Sequence, residues 1–587
     1  MSVRLPAGVE ANRKTVALAG FALALLFAAP ADARTDLDYA TLMSGHYPHP
    51  VDFSAYAPDA SATPATQRFS GVLALRFRGT LPHHTLLANP AYVGAHDLDV
   101  ALSWPGDFSY EFVQDGEALV PVRRGAIPGR HGWWEVILEP GRVWNEPGDH
   151  GMARAAIPFA LQEKNANCTH NGVLMFLFGA DGSVSRTAMQ LASETCLYLH
   201  VDLWALLDTH YRRGAPAHEA AALAAYRDER AARMPHRTLD QLRVDHPGLD
   251  IGALAIGAPG ASTLHGLVID GVHYSSECET RFGSNPYCQE LDLPSYSLAK
   301  SVFAATALMR LQSSWPQTSA QRIAAHVPQC RSPAWDGVTF LQALDMATGN
   351  FESDAYEADE DAAGTAGLFV PLDHASKIHY SCTIYPRRTA PGTRWAYHSS
   401  DTYILGTALA HYLRSLPQHA HDDLFRDLVD AQVFRPLHLS ATTSVTRRTY
   451  DSVGQPFTGW GLTFKPGDVA RLGAFYGRDH GAIDDHALLD PLLLDQALQR
   501  DERARGLPVS GFPALRYQHG FWARNLRTVL GCEHDTWVPF MSGFGGISLV
   551  LFPNGVVYYN FADDGALASF DWAAPAREVR KLGDFCQ

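Results

Sequence analysis

Between residues 215 and 245 the chain changes character, and that change limits what it can fold into. Upstream, Gly and Pro interrupt short apolar stretches at close intervals. Gly71 to Arg78 has strand composition. Phe108 to Val113, the Asp115-Gly116 turn and Ala118 to Val122 predict a hairpin. Trp133 to Leu138 and Gly172 to Phe178 continue the pattern, and Gly179-Ala180-Asp181-Gly182 adds a turn. Such punctuation predicts a sandwich or barrel. Ala217 to Met234 is rich in Ala, Arg and Glu, which favour helix, and reads as a connector ending near residue 235. With 587 residues the chain is too long for a single core, since cores rarely grow past about 250–300 residues. The division expected is a β-rich N-terminal domain over 34–235, its role unspecified, and a second domain over 236–587.

Downstream, helix and strand signals mix, which predicts an α+β domain. Asp250 to Gly257 and Leu264 to Tyr274 read as two strands. Ser297 to Leu311 is apolar at Leu298, Val302, Ala305, Leu308 and Leu311, close to a 3.6-residue period, and predicts a helix. Thr402 to Leu416 and Asp468 to Tyr476 predict two more. Ile547 to Phe552 and Val556 to Phe561 flank Pro553-Asn554-Gly555 and predict a hairpin.

The first 33 residues have the form of an export signal. Arg4, Arg13 and Lys14 precede an apolar run of 14 residues, Val16 to Ala29, and Ala31-Asp32-Ala33 fits a small-x-small cleavage site. A bilayer span needs about 20 apolar residues, so the run is short for an anchor. The expected location is periplasmic or extracellular, with no integral membrane segment after cleavage. All eight cysteines follow the proposed cut, and an even number in an exported chain favours disulfides. If the two domains fold separately, Cys168 pairs with Cys196. Among the fifteen pairings left to the other six, short loops favour Cys278–Cys288, Cys330–Cys382 and Cys532–Cys586. No C-x-x-C or H-E-x-x-H spacing occurs, and the histidines are scattered, His46/His49 and His83/His84 reading as surface residues. No metal and no cofactor are expected. The net charge of −15 and the absence of a basic stripe disfavour nucleic acid as a partner.

Chemistry centres on Ser297-Leu298-Ala299-Lys300. Residues i and i+3 share a helix face, so the Lys300 amine can reach the Ser297 hydroxyl. A serine hydroxyl is a weak nucleophile until a base takes its proton. Placed in a first turn, it also meets backbone N–H groups that can hold a developing oxyanion. Of the six lysines, only Lys300 has a serine three residues before it. Two further segments fit the same chemistry. In Trp395-Ala396-Tyr397-His398-Ser399, a tyrosine before a helix can relay protons to a leaving group. In Met541-Ser542-Gly543-Phe544-Gly545-Gly546, glycines at a strand allow close approach of a substrate to the backbone.

The order Ser-x-x-Lys, Tyr-x-Ser about a hundred residues on, and a Gly-rich strand near the end resembles the penicillin-binding-protein-like serine hydrolases. That group includes class C β-lactamases, D-Ala-D-Ala carboxypeptidases, esterases and aminohexanoate-oligomer hydrolases. Val338 to Gly349, Ala390-Pro391-Gly392 and Gly461 to Gly473 also resemble segments of that family, and the likeness spans roughly 245–580. It implies an antiparallel sheet flanked by helices, with a helical subdomain between about Ala305 and Asp468. It further implies Ser297 as acylated nucleophile, Lys300 as its base and Tyr397 as proton relay. The oxyanion hole would be the N–H groups of Ser297 and Phe544, with Ser399 and Gly543 beside the substrate.

Two departures point toward the esterase and amide-hydrolase branches. Met541-Ser542-Gly543 stands where penicillin-recognising members have Lys-Thr-Gly, and Ser399 replaces an Asn. A thioether in place of that cation suits an uncharged group. The function expected is therefore an exported serine hydrolase that acts on a small ester or amide through an acyl-enzyme. The alternatives are a D-Ala-D-Ala carboxypeptidase or β-lactamase that draws its cation from elsewhere, such as Arg394 or Arg524, or a binding protein with an inactive hydrolase domain.

Overall fold

The computed structural model describes residues 35–88, 95–256, 262–562 and 570–586. The expected export signal lies outside them. Two large sheets organise the rest.

The first sheet closes on itself. Eight strands pair antiparallel in a ring: Gly141–Asn145, Ala118–Pro121, Ser109–Asp115, Ser70–Arg76, His200–Arg213, Thr187–Glu194, Thr169–Phe178 and Ala153–Glu163, which returns to Gly141–Asn145. The result is a barrel, the second of the two forms the punctuation allowed. Alternate residues point inward, and the interior is filled by Leu73, Leu75, Phe112, Phe176, Phe178 and Leu203, all fully buried. Gly141 makes the closing corner possible. A Cβ there would lie 1.9 Å from the Ala156 carbonyl oxygen. The connector is the helix Glu219–Ala232.

The second sheet has nine strands, in the order His236–Thr238, Val272–Ser275, Ser262–Ile269, Val557–Ala562, Ile547–Leu551, Trp537–Gly543, Phe521–Asn525, Phe512–Gln518 and Leu507–Val509. All neighbours are antiparallel except the first two. Helices Thr306–Ser314, Ser399–Ser415 and Pro466–Gly477 share one apolar core with one face. Ala573–Arg580 covers the other, where Trp572 and Val579 meet Phe540 and Val550. This is the expected α+β architecture, with the helical region inserted between Val272–Ser275 and Leu507–Val509.

Three local expectations are corrected. Residues 250–256 do not form a strand, and Gly257 lies outside the described residues. Asp250 accepts a hydrogen bond from the Gly252 N–H and caps the 3-10 turn Ile251–Leu254. The stretch Leu264 to Tyr274 is a hairpin rather than one strand, because Asp270 and Gly271 turn in the left-handed region at φ 50° and 80°. The helix expected from Ser297 leaves Ser297 in a turn, is π-helical over Lys300–Ala305 and regular over Thr306–Ser314. π segments often mark functional sites. The four disulfides are the expected ones: Cys168–Cys196, Cys278–Cys288, Cys330–Cys382 and Cys532–Cys586. Among the described residues no helix is long and apolar enough to cross a membrane.

Candidate active site

The turn before the π segment carries Ser297, held by backbone bonds from Leu298 N to Ser295 O and from Lys300 N to Ser297 O. Tyr296, just ahead, has φ 39°. A left-handed tyrosine is strained and persists only where its surroundings impose it. Ser297 is half-buried, whereas Lys300 and Tyr397 are buried at 3% and 7% exposure, so of the three the nucleophile residue is the most exposed.

Residues a hundred positions apart meet here. Lys300 Nζ donates to Ser297 Oγ at 2.9 Å, and Tyr397 Oη donates to the same oxygen at 2.7 Å. Lys300 Nζ also donates to Ser399 Oγ at 2.9 Å. Tyr397 precedes the helix Ser399–Ser415, and its ring stacks near Trp522 and Trp395. Burial lowers the Lys300 amine to about 8, against the nearby charges of Glu360 and Glu357, which raise it. Burial, with the same two carboxylates, pushes the Tyr397 phenol well above 10. At neutral pH the lysine can therefore lose its proton while the tyrosine keeps its own.

Gly543 ends the strand Trp537–Gly543, and a Cβ there would sit 2.9 Å from the Ser295 carbonyl oxygen. That close approach brings the Phe544 turn beside the nucleophile turn, with the Tyr296 and Phe544 rings 5.7 Å apart. Ser297, Lys300, Tyr397, Ser399, Gly543 and Phe544 thus gather in one place. Met541 does not join them as a substrate-facing group. It is fully buried in the core that also holds Leu298, because strand alternation turns it into the sheet's helical face. The two alternative cations are engaged as well. Arg394 pairs with Asp354 at 3.6 Å, and Arg524 donates to the Phe570 carbonyl and lies over the Trp572 ring.

Sequence reading missed an acidic segment, Glu357 to Asp361. Glu360 accepts hydrogen bonds from both the Ser399 N–H, at 2.9 Å, and the Ser399 hydroxyl. Asp359 binds His398 Nε2 at 2.9 Å. Burial raises the Glu357 carboxyl to about 7. The signal was the acidic run itself, which in sequence looks like a solvated surface.

Residues 293–553 match the family model described as Beta-lactamase. Over those residues the chain is similar to the beta-lactamase family. That likeness supports a serine hydrolase. The chain has no match among curated proteins. Solved structures similar to it include a protein described as a 6-aminohexanoate-dimer hydrolase from Bacillus anthracis. That one is 15% identical, covers 60% of this chain and 87% of its own, and has a TM-score of 0.42. A protein described as a beta-lactamase from Bacteroides dorei DSM 17855 is 15% identical over 55% of this chain and 94% of its own, at 0.39. EstCE1, described as a hydrolase with promiscuous acyltransferase activity, is 13% identical over 62% and 100%, at 0.40.

Among the described residues, the one His/Cys/Asp/Glu group tight enough for an ion is Cys168, His170 and Cys196. Its two sulfurs are joined in a disulfide and offer no thiolate.

Proposed function

We propose that the protein is an exported hydrolase that cleaves small neutral esters or amides through an acyl-enzyme on Ser297. One observation carries this reading: a single half-buried hydroxyl receives hydrogen bonds from both Lys300 and Tyr397. The neutral Lys300 amine takes the Ser297 proton as Oγ attacks the substrate carbonyl. The oxyanion is held by the N–H groups of Ser297 and Phe544. Tyr397 then gives its phenolic proton to the departing oxygen or nitrogen and recovers one from the Lys300 ammonium. The carbon–leaving-group bond breaks and leaves the acyl group on Oγ. Water, deprotonated by the same pair, attacks that ester, and the proton returns to Ser297.

The engagement of Arg394 with Asp354 and of Arg524 with the Phe570 carbonyl supports a neutral substrate, since a desolvated carboxylate needs a partner. Four disulfides, together with the apolar N-terminal run, support export. The mass shift at Ser297 after treatment with a fluorophosphonate is the direct test. The wild type should gain one label, and Ser297→Ala none. In a matched ester pair, the neutral member should have the higher kcat/KM. A tenfold preference for the anionic member, about 1.4 kcal/mol in the transition state, would favour the carboxypeptidase and β-lactamase reading.

A further inference from the structure

The turn that presents Ser297 is fastened by a side chain from the barrel. Asn167 is fully buried, and its Oδ1 accepts three hydrogen bonds, from Ser295 Oγ at 3.1 Å, Tyr296 N at 2.8 Å and Gly461 N at 3.1 Å. Its Nδ2 donates to the Leu462 carbonyl at 3.3 Å. All of these partners lie 128 residues or more away in sequence. Two of them are the residues just ahead of the nucleophile, and one, Tyr296, is held in the left-handed region.

The asparagine does not stand alone. The next residue, Cys168, is bonded to Cys196, which staples the Asn167 loop to the loop before the strand His200–Arg213. That second loop reaches the other half of the site. A Cβ at Gly545 would lie 3.9 Å from the Thr195 carbonyl and 4.0 Å from Leu197. The Tyr198 ring sits 6.2 Å from that of Phe544. One stapled pair of barrel loops thus touches both the turn that carries Ser297 and the turn that carries Phe544.

We infer that the barrel is a working part of the active site, and that Asn167 is a positioning residue that holds the Ser295–Tyr296 turn so that Ser297 Oγ meets Lys300, Tyr397 and the Phe544 N–H together. A turn held in a strained conformation relaxes when its hydrogen-bond acceptor is removed. Displacement of a nucleophile by about 1 Å costs on the order of a hundredfold in rate.

The inference rests on Ser297 being the acylated residue, and the test separates the two. The full chain is treated with a fluorophosphonate, and the rate of label gain at Ser297 is followed by mass, with thermal unfolding measured alongside. Asn167→Ala should acylate on the order of a hundredfold more slowly. Asn167→Asp keeps the acceptor oxygen and its three donors, and should recover to within about tenfold of wild type. Gln162→Ala is the matched control. Gln162 is also a buried barrel residue bonded across the same boundary, to Thr463 Oγ1 at 2.7 Å, but not to the Ser295–Tyr296 turn. It should lose stability yet acylate nearly as wild type does. A wild type that labels while Asn167→Ala labels equally fast overturns the inference alone. So does a rate loss in Gln162→Ala equal to that in Asn167→Ala, which would reduce the effect to general destabilisation. If Asn167→Ala does not fold, Asn167→Asp decides, and acylation a hundredfold below wild type would overturn the role of the acceptor. A wild type that takes no label at Ser297 removes the hydrolase reading and this inference with it.

Discussion

At the scale of single residues, the chemistry turns on one proton. Lys300 has to be neutral to act as base, and burial places its amine at about 8. Raising the pH removes that proton, so kcat/KM should climb through pH 8 and then level off. Tyr397 does not interrupt the plateau, because its phenol titrates well above 10. Glu360 raises the Lys300 value through its charge and holds Ser399 through two hydrogen bonds. Glu360→Gln should therefore move the rising limb to lower pH. It should also lower the plateau by about tenfold, since Ser399 loses a charged acceptor and orients Lys300 less well, ~1.4 kcal/mol in the barrier. A pH–rate profile of the variant gives both readings. A limb that stays in place, or moves up, would mean that Glu360 does not sense Lys300.

At the scale of elements, the helix Ser399–Ser415 and the acidic segment are locked by His398. The imidazole is 1% exposed, lies 2.9 Å from Asp359 and 3.6 Å from Asp401, and stacks on Tyr385 at 4.1 Å. Burial disfavours its charge, but hydrogen bonds and attraction from the two aspartates outweigh that and raise it to about 9. A histidine whose folded value lies above its unfolded value of about 6.5 adds stability below that pH, and the contribution is lost as pH rises through the folded value. The full difference is on the order of 3 kcal/mol. The melting temperature of wild type should exceed that of His398→Gln most at pH 6, and the gap should close by pH 10. A gap independent of pH would show that His398 acts by packing alone. The same lock holds Asp359 next to Glu360, so it also steadies the carboxylate on Ser399.

At the scale of the whole molecule, barrel, connector helix and second sheet meet around a buried charge cluster. Lys465 Nζ lies 2.7 Å from Glu139 of the barrel side and 3.5 Å from Glu229 of the connector, and it contacts Glu290. Arg124 bonds to Glu139 at 2.8 Å and to Glu229 at 2.6 Å. Burial and Arg124 depress the Lys465 ammonium, and the three glutamates together hold it above its usual value. Removal of one partner from such a cluster leaves charge uncompensated, which costs about 3–5 kcal/mol. Lys465→Met should lose that much in denaturant unfolding, and a loss below ~1 kcal/mol would show that Arg124, with Arg233 at 2.6 Å from Glu290, suffices. By itself the sequence determined what depends on near neighbours. The Ser297–Lys300 pair follows from helix spacing, the hairpin at Pro553-Asn554-Gly555 from turn chemistry, the Cys168–Cys196 pairing from the expected division into domains, and the other three disulfides from loop length. It also carried ordered motifs within residues 293–553, the stretch that is similar to the beta-lactamase family. What stayed hidden depended on distant partners. Asp250 to Gly257 looked like a strand until the Asp250 cap was visible, and Met541 looked like a substrate contact until the sheet turned it into the core. Asn167 has no local pattern to reveal it, and the acidic run around Glu360 reads as solvated surface, because each acts on a partner 39 or 128 residues away. Only the tertiary structure could decide them. A hydrogen bond depends on where two backbones pass in space, and that is set by barrel closure and sheet packing, not by the identity of the residues beside it.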